Sequence, residues 1–286
     1  MIPGPKATGA DDKVISVREL KYEYEGAVKA LLGLSLDVRR GEYIAVVGGN
    51  GSGKTTLAKS IIGLLKPTSG TISVMGNSTA DMEIASISKV VGYAFQNPDH
   101  QLFCPTVLEE VEFGPRNLGF TEPELEKHVS HALEAMDLVT LKGKPPSTLT
   151  LSQRRRVSIA SVIAMNPQIF IFDEPTTGLD MRESEELMAS IGRLNSENRT
   201  IILITHDMKL VAKYAHRVVV MAEGRIVLDS DPAGVFSDLE VLLRSKLVPP
   251  PVVRLAYRLS SLGIPRDILS PEELVLRLMM VRGEGR

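Results

Sequence analysis

The chain has 286 residues, of which 43% are hydrophobic, and a formal net charge of −2 at pH 7. This length allows one large domain or one domain with a small appendage, and the apolar content is sufficient for a packed core. The near-neutral charge gives no sign of nucleic acid as a partner. The single cysteine, Cys104, excludes an internal disulfide. The apolar runs are of strand length, well below the roughly 18 residues of a membrane-spanning helix, and we see no signal peptide.

The first half of the chain predicts mainly strands. Residues 1–12 predict a flexible tail. Two β-prone segments, 14–17 and 34–38, predict antiparallel strands. A buried strand over 42–47 is followed by a helical pattern over 57–65. Further strands are expected over 71–75 and 90–95, the second of which ends abruptly at Gln96.

The composition changes after residue 96. Residues 97–164 predict a mostly helical region, in which Thr121 and Glu124 have the spacing of a helix N-terminal capping pair. Strands are then expected over 169–172 and 201–204, a helix over 181–194, and a strand pair around residues 223–224. Residues 236–286 contain a proline run and short amphipathic patterns, and they predict a small C-terminal helical appendage.

Residues 48–56 match the pattern G-x-x-x-x-G-K-[ST] between the strand over 42–47 and the following helix. Small residues let successive backbone N–H groups surround an oxyanion, and the helix N-terminus adds to that attraction. Lysine supplies charge for the phosphates, and the threonine hydroxyl can ligate Mg²⁺. We therefore predict nucleoside triphosphate binding by Gly48, Gly49, Asn50, Gly51, Ser52, Gly53, Lys54, Thr55 and Thr56.

Polar side chains also stand at the ends of later strands. Asp173 and Glu174 end a near-continuous apolar run, where an unpaired carboxylate is costly and therefore indicates function. His206 follows the strand over 201–204, where we favour a γ-phosphate contact. The Gln96 amide is placed to bridge metal and water. The basic triplet 154–156 is interpreted as a solvated or phosphate-neutral face rather than a nucleic-acid site.

Taken together, these residues resemble the ATP-binding cassette (ABC) family. The order matches over roughly residues 14–235: phosphate loop, Gln96, Asp173-Glu174, a Gly-Leu-Asp loop at 178–180, then His206. The resemblance implies an α/β P-loop NTPase fold, an ABC nucleotide-binding domain with a mixed sheet and a helical subdomain. It also implies that Tyr24 stacks on the adenine, and that ATP and Mg²⁺ are the cofactors.

The resemblance assigns roles within the site and limits to the domains. Lys54, Gln96, Glu174 and His206 are the expected catalytic residues. Metal ligation falls to Thr55, Gln96 and, through water, Asp173. The expected organisation is a tail (1–12), an ABC domain (13–235, with 97–164 as helical subdomain) and a C-terminal helical dimerisation region (236–286).

Within the family, residues 95–103 and the helical tail resemble ATPase subunits of energy-coupling factor (ECF) or cobalt-type importers. This implies ATP hydrolysis that drives import of a vitamin or a transition-metal ion, on the cytoplasmic side of the cell membrane. The implied partners are a second ABC ATPase, a transmembrane coupling subunit and a substrate-binding membrane subunit, with no nucleic acid. Residues 101–103 and 107–113 are the expected docking surface, with the interior of the helical subdomain as the alternative role. An ATPase of another ABC transporter and a non-transport ABC ATPase remain the alternative functions, although we see no coiled-coil insertion, second cassette or basic tract.

One segment departs from the family pattern. The family's signature Leu-Ser-Gly-Gly-Gln aligns without gaps on Leu149-Thr150-Leu151-Ser152-Gln153. Thr150 keeps a hydroxyl, but leucine and serine replace the glycines that permit close approach to a γ-phosphate. In this family the segment faces the partner's ATP, so Thr150, Ser152 and Gln153 are expected to contact that nucleotide. We therefore favour a heterodimer with two unequal ATP sites, and a homodimer remains the alternative.

Overall fold

The computed structural model describes residues 12–283, with side chains described through residue 280. The predicted flexible tail therefore lies outside the described residues, except for Asp12. The Asp12 carbonyl accepts from the Arg40 backbone N–H at 3.0 Å. Its carboxylate lies 3.2 Å from Arg40 Nε. The last residue of the predicted tail thus belongs to the folded domain.

Strands between residues 13 and 78 form a four-stranded antiparallel sheet. Its order is β2-β1-β4-β5, and the β1–β2 pair confirms the predicted antiparallel strands. Apolar side chains on its inner face are fully buried against α1 and the larger sheet. The strands are β1 (Lys13–Tyr24), β2 (Val28–Arg39), β4 (Ser69–Val74) and β5 (Asn77–Ser78).

A six-stranded sheet of order β10-β9-β3-β8-β7-β6 forms the centre of the molecule. All neighbouring pairs are parallel except β10–β9, so the sheet is mixed, as predicted. Four of its strands, β3, β6, β7 and β8, are buried at every residue, the pattern of parallel strands covered on both faces. The strands are β3 (Tyr43–Val47), β6 (Val91–Ala94), β7 (Ile169–Asp173), β8 (Thr200–Thr205), β9 (Arg217–Ala222) and β10 (Arg225–Ser230).

The register of the central strands sets the position of the site. Val47 of β3 pairs with Thr205 of β8, and Asp173 of β7 pairs with Ile204. The carboxyl ends of β3, β7 and β8 therefore meet at one edge of the sheet. Since the polar residues of interest follow these strands directly, the topology brings them together.

The helical region predicted over 97–164 is confirmed as three helices that pack around one apolar cluster. The Glu124 carboxylate accepts from the Thr121 backbone N–H at 2.9 Å, which confirms the predicted cap. The helices are α3 (Val107–Asn117), α4 (Glu122–Ala135) and α5 (Leu151–Ala164). The remaining helices of the central domain are α1 (Lys54–Ile61), α2 (Ile84–Ser88), α6 (Met181–Ser196) and α7 (Met208–Tyr214).

The C-terminal residues form four short helices, but the predicted boundary at residue 235 is wrong. It falls inside α8, and Val235 and Phe236 are buried in a cluster that also contains Val47 and Val220. Residues up to Val253 join this cluster, because their apolar side chains cover the outer face of β3 and β9. Only the end of the region has a small cluster of its own. The helices are α8 (Pro232–Ser237), α9 (Leu239–Arg244), α10 (Pro251–Arg258) and α11 (Pro271–Gly283).

Within residues 12–283, no helix combines the length and the apolar character needed to cross a membrane.

Candidate nucleotide-binding and hydrolysis site

The loop between β3 and α1 has the backbone of an anion-binding turn. Gly53 caps α1 with φ +100°, a conformation that L side chains rarely adopt. A Cβ at Gly53 would lie 2.6 Å from the Ala30 carbonyl, and one at Gly48 would lie 2.2 Å from the Met221 carbonyl. Both positions therefore require glycine. The loop leads directly into the N-terminus of α1, where free backbone N–H groups can bind an anion.

The Lys54 side chain folds back over this loop. Its ammonium donates to the carbonyls of Gly48 at 2.8 Å and Gly49 at 3.0 Å, and the residue is 8% exposed. Burial lowers the pKa of Lys54, while the nearby charges of Glu174 and Asp173 act in the opposite direction. The loop contacts the ammonium through neutral groups, the carbonyls of Gly48 and Gly49 and the Ser52 hydroxyl, so a phosphate would add the counter-charge that the loop lacks.

A cavity of 370 Å³ opens beside this loop. Tyr24 stands at its rim, 40% exposed, with its hydroxyl 3.1 Å from the Thr56 hydroxyl. An exposed ring at the mouth of a phosphate-binding cavity fits a stacking role toward a nucleobase. The sequence-predicted residues that line the cavity are Tyr24, Asn50, Gly51, Ser52, Gly53, Lys54, Thr55, Thr56, Gln96, Asp173 and Glu174.

Asp173 lines this cavity, and one of its carboxylate oxygens has no partner among the described residues. The residue is 1% exposed, and its Oδ2 accepts a hydrogen bond of 2.8 Å from the Tyr93 hydroxyl. Oδ1 has no hydrogen-bond partner among the described residues, although it is buried. An orphaned buried carboxylate oxygen is costly unless a cation or a donor reaches it.

That oxygen, the Thr55 hydroxyl and the Gln96 amide oxygen are the hard ligands that Mg²⁺ prefers, and all three residues line the same cavity. The residues present therefore fit a magnesium ion. Because two of the three ligands are neutral, most of the site's charge would come from phosphate oxygens and Asp173.

Glu174 and His206 form a second pair at the same sheet edge. His206 Nδ1 lies 2.8 Å from Glu174 Oε1, while Oε2 accepts only long bonds of 3.4 Å from the hydroxyls of Thr205 and Thr177. Glu174 is 8% exposed and has φ +49°, a left-handed conformation that is rare for a residue with a side chain. Strain of this kind is typical of functional positions.

Two residues that sequence reasoning missed hold the loop that carries Gln96. The Gln101 amide oxygen accepts from the Phe95 backbone N–H at 3.2 Å, and its nitrogen donates to the Ser158 carbonyl of α5 at 2.7 Å. Arg155 of α5 donates to the Phe95 carbonyl at 3.2 Å and to the Gln96 carbonyl. The loop is therefore attached to α5 by two independent side chains.

The interpretation of residues 154–156 as a solvated face is wrong for Arg155, which is 3% exposed. It also donates to the Thr177 carbonyl at 3.2 Å, so it links the Gln96 loop with the loop after Glu174. Burial lowers the pKa of Arg155, against the charges of Asp99 and Glu174. Arg154 and Arg156 instead pair with surface carboxylates. Successive helical residues point 100° apart, so a triplet seen in sequence does not share one environment.

The described residues that line the cavity include none of the segment 149–153. Thr150 is the N-cap of α5, and its hydroxyl accepts from the Gln153 backbone N–H at 3.2 Å, while the Gln153 amide oxygen accepts from Thr150 N–H at 3.1 Å. Ser152 is 8% exposed and Leu151 is 36% exposed. The segment therefore forms the capped start of α5, with Leu151 at the surface and Ser152 buried, and it contributes nothing to the lining of this cavity.

The match to known families agrees with this geometry. Residues 31–177, just over half of the chain, match the family model described as ABC transporter. The chain belongs to the ABC transporter family. It is 45% identical over 264 residues to a putative ABC transporter ATP-binding protein of Caldanaerobacter subterraneus, covering 92% of this chain and 46% of that protein. It thus spans about half the length of the first such relatives that it matches.

Relatives of similar length have a more specific name. The energy-coupling factor transporter ATP-binding protein EcfA2 of Clostridium perfringens is 44% identical, over 82% of this chain and 84% of that protein. The solved structure of CbiO1 from Clostridium perfringens, described as part of the ABC transporter complex CbiONQ, has a TM-score of 0.74 and 38% identity, over 86% of this chain and 100% of that one. A dimeric structure of the ATP-binding cassette MJ0796 bound to ADP and Pi has a TM-score of 0.69 and 26% identity, over 76% and 98%. The sequence-based assignment to the ABC family and to its ECF group is confirmed.

A separate apolar groove of 280 Å³ lies between the central domain of this cassette and its helical region. Phe103 and Phe113 stand on its rim, 66% and 46% exposed, with ring centroids 4.7 Å apart. Buried Glu110 fixes this rim, because its Oε2 accepts from the backbone N–H groups of Phe103 and Cys104, both at 2.8 Å. The predicted docking segments are therefore divided: the two phenylalanines are at the surface, whereas Val107 and Val111 are core residues.

Proposed function

We propose that this chain is the ATP-hydrolysing subunit of an ECF-type membrane importer, and that it works as one half of a cassette dimer. The observation that carries the proposal is the edge where β3, β7 and β8 end. There the phosphate loop, Asp173 and Glu174 lie around one cavity. His206 is not part of the cavity lining, but its Nδ1 contacts Glu174 Oε1 at 2.8 Å. This arrangement supports attack of water on a γ-phosphate.

The residues of the chain divide this work among them. The phosphate loop and Lys54 bind and orient the phosphates. Among the described residues, Asp173 and Glu174 are the two acidic side chains that line the cavity. Since Asp173 is assigned to the metal ion, Glu174 positions and polarises the attacking water. His206 Nδ1 contacts Glu174 Oε1, and we propose that the His206 ring also contacts the γ-phosphate. Mg²⁺, held by Thr55, Gln96 and, through water, Asp173, would neutralise charge on the phosphates.

The absence of 149–153 from this chain's own cavity lining supports a dimer. In such a dimer we expect Thr150, Ser152 and Gln153 at the start of α5 to meet the partner's ATP. Leu151 lies against the loop after Glu174, with its Cδ2 2.8 Å from where a Cβ on Gly178 would stand. A leucine in this position restricts close approach of a γ-phosphate to the helix N-terminus. We therefore propose a partner cassette with an intact signature, which completes the site formed by this chain's phosphate loop.

The length of the first relatives supports the same proposal. This chain covers only 42–46% of each of them, which leaves room for a second unit of similar size in the same polypeptide. The partner cassette can therefore be a separate chain or part of one longer chain.

The C-terminal helices offer a further contact region for such a dimer. Among the described side chains of α11, five apolar ones are exposed: Val275, Leu276, Leu278, Met279 and Met280. We propose that they take part in dimerisation. The proposed dimerisation region is therefore kept, but it begins after Val253, the last residue buried in the cluster on the central domain.

The membrane partner is proposed to dock in the apolar groove. Its rim carries the exposed Phe103–Phe113 pair directly after the loop that bears Gln96, so an inserted helix would contact the segment that carries a catalytic side chain. The chain would then lie at the cytoplasmic side of the cell membrane, bound to a transmembrane coupling subunit and a substrate-binding subunit. A vitamin or a transition-metal ion is the proposed cargo, and the CbiO1 likeness favours the latter.

Purification of the native complex through a tag on this chain tests the proposal. We expect a membrane-spanning chain and a second cassette to co-purify, with phosphate release from MgATP. Phe103→Asp should remove the membrane chain and leave the cassette pair intact. Val227→Asp, which adds the same charge at a residue 46% exposed on β10, is the matched control. Retention of the membrane chain by Phe103→Asp would refute the groove as its docking site.

A further inference from the structure

Tyr93 lines the apolar groove and also contacts Asp173 of the nucleotide-binding cavity. It belongs to β6, two residues before the loop that carries Gln96 starts, and its ring lines the apolar groove next to Phe95. The two rings meet edge to face with centroids 4.7 Å apart. On the other side, the Tyr93 hydroxyl donates to Asp173 Oδ2 at 2.8 Å. The residue is 9% exposed, so this bond is shielded from water.

The bond constrains how Asp173 presents its oxygens. A carboxylate with both oxygens free could rotate and exchange them, whereas here one oxygen is bound and the other, Oδ1, has no partner among residues 12–283. The phenol is the donor in this bond, because a carboxylate oxygen can only accept. A hydrogen bond from a buried donor to an ionised acceptor is about twice as strong as a neutral one.

We propose that Tyr93 is a positioning residue for the metal site: its hydroxyl fixes Asp173 so that Oδ1 remains available to Mg²⁺ and its water ligands. The proposal rests on the proposed ATP function. Residues that orient a metal ligand in this way typically change metal affinity by about 10- to 100-fold when removed. Tyr93 touches neither nucleotide nor water in this scheme, so its effect should appear in the metal dependence rather than in nucleotide binding as such.

Tyr93→Phe isolates the bond, because it keeps the ring in the groove and removes only the hydroxyl. Tyr214→Phe is the matched control: it removes a mostly buried hydroxyl that bonds the Glu185 carbonyl at 3.4 Å, away from the site. Binding of a fluorescent ATP analogue is measured in EDTA and over a series of free Mg²⁺ concentrations. For Tyr93→Phe we expect the Mg²⁺ concentration at half-maximal enhancement to rise by about 10-fold or more. Affinity in EDTA should stay within about twofold, and Tyr214→Phe should match the wild type in both.

A double-mutant cycle with Asp173→Asn separates positioning from general stability. If Tyr93 acts through the carboxylate, Tyr93→Phe should change the Mg²⁺ dependence much less in the Asp173→Asn background. A purely structural hydroxyl would lower the thermal midpoint and leave the Mg²⁺ dependence unchanged, and that result would overturn the inference. Failure of the wild type to bind the analogue at all would instead refute the proposed ATP function.

Discussion

Replacing Leu151 and Ser152 by glycine should make the protein less stable and, at the same time, a faster ATPase. Both residues stand in the first turn of α5, directly after its N-cap. Leu151 is 36% exposed, so about two thirds of its side chain is covered, which contributes roughly 1–2 kcal/mol. Two glycines in a helix cost up to about 1 kcal/mol each. The free energy of unfolding should therefore fall by about 2–4 kcal/mol.

The expected change in rate has the opposite sign. Without side chains at 151 and 152, the N-terminus of α5 can approach the γ-phosphate of the facing nucleotide. One such preorganised donor is worth about 10²–10³ in rate. In a self-assembled dimer both ATP sites carry the altered segment, so the whole activity should rise.

Urea denaturation followed by circular dichroism gives the stability, and steady-state phosphate release gives the rate. Leu151→Ala with Ser152→Ala is the control, since it removes the same bulk but keeps a Cβ at each position and a good helix former. We expect a much smaller gain in rate from it. A glycine variant that loses stability without any gain in rate would refute the assignment of 149–153 as the segment that faces a phosphate.

Three further predictions concern single buried groups. Arg155→Met should lower kcat by about 10²-fold with little change in KM for ATP, because the loops of Gln96 and Glu174 lose the side chain that links them. Steady-state kinetics with Arg156→Gln as the control measures this effect, and an unchanged kcat would count against the role of Arg155. Cys104 should react slowly with iodoacetamide at pH 7–8 and faster toward pH 11, because burial and Glu110 raise the pKa of its thiol to about 11; rapid alkylation at pH 7 would contradict this. Tyr43→Phe should leave stability unchanged or raise it by about 1 kcal/mol in urea denaturation, because the buried Tyr43 hydroxyl has no partner among the described residues; a loss of more than that amount would show an interaction that the contacts do not include.

The phosphate loop, Asp173, Glu174 and His206 could be predicted from sequence because each follows a recognisable buried strand. In a parallel sheet the carboxyl ends of neighbouring strands meet, so the positions along the chain already imply proximity. The fold class was implied by the resemblance to the ABC family, and the pattern of apolar strands alternating with helices agrees with it.

The contacts that hold these residues in place could not be predicted in this way. Tyr93 and Asp173 are 80 positions apart, and Arg155 lies 59 positions from Gln96, so their bonds depend on how α5 and β6 pack. The C-terminal boundary failed for a related reason. Val235 and Phe236 are apolar in either organisation, and only their packing against the apolar face of β3 and β9 shows that they belong to the central domain.

The central claim is that this chain's own phosphate loop and Glu174 form the productive ATP site of an asymmetric dimer. The most direct test is phosphate release by the cassette pair when only this chain carries Glu174→Gln, compared with the equivalent change in the partner alone. Loss of a general base costs about 10²–10⁴ in rate. We predict a fall of that size for the change in this chain and a small effect for the change in the partner. Unaltered phosphate release with Glu174→Gln in this chain would contradict the account.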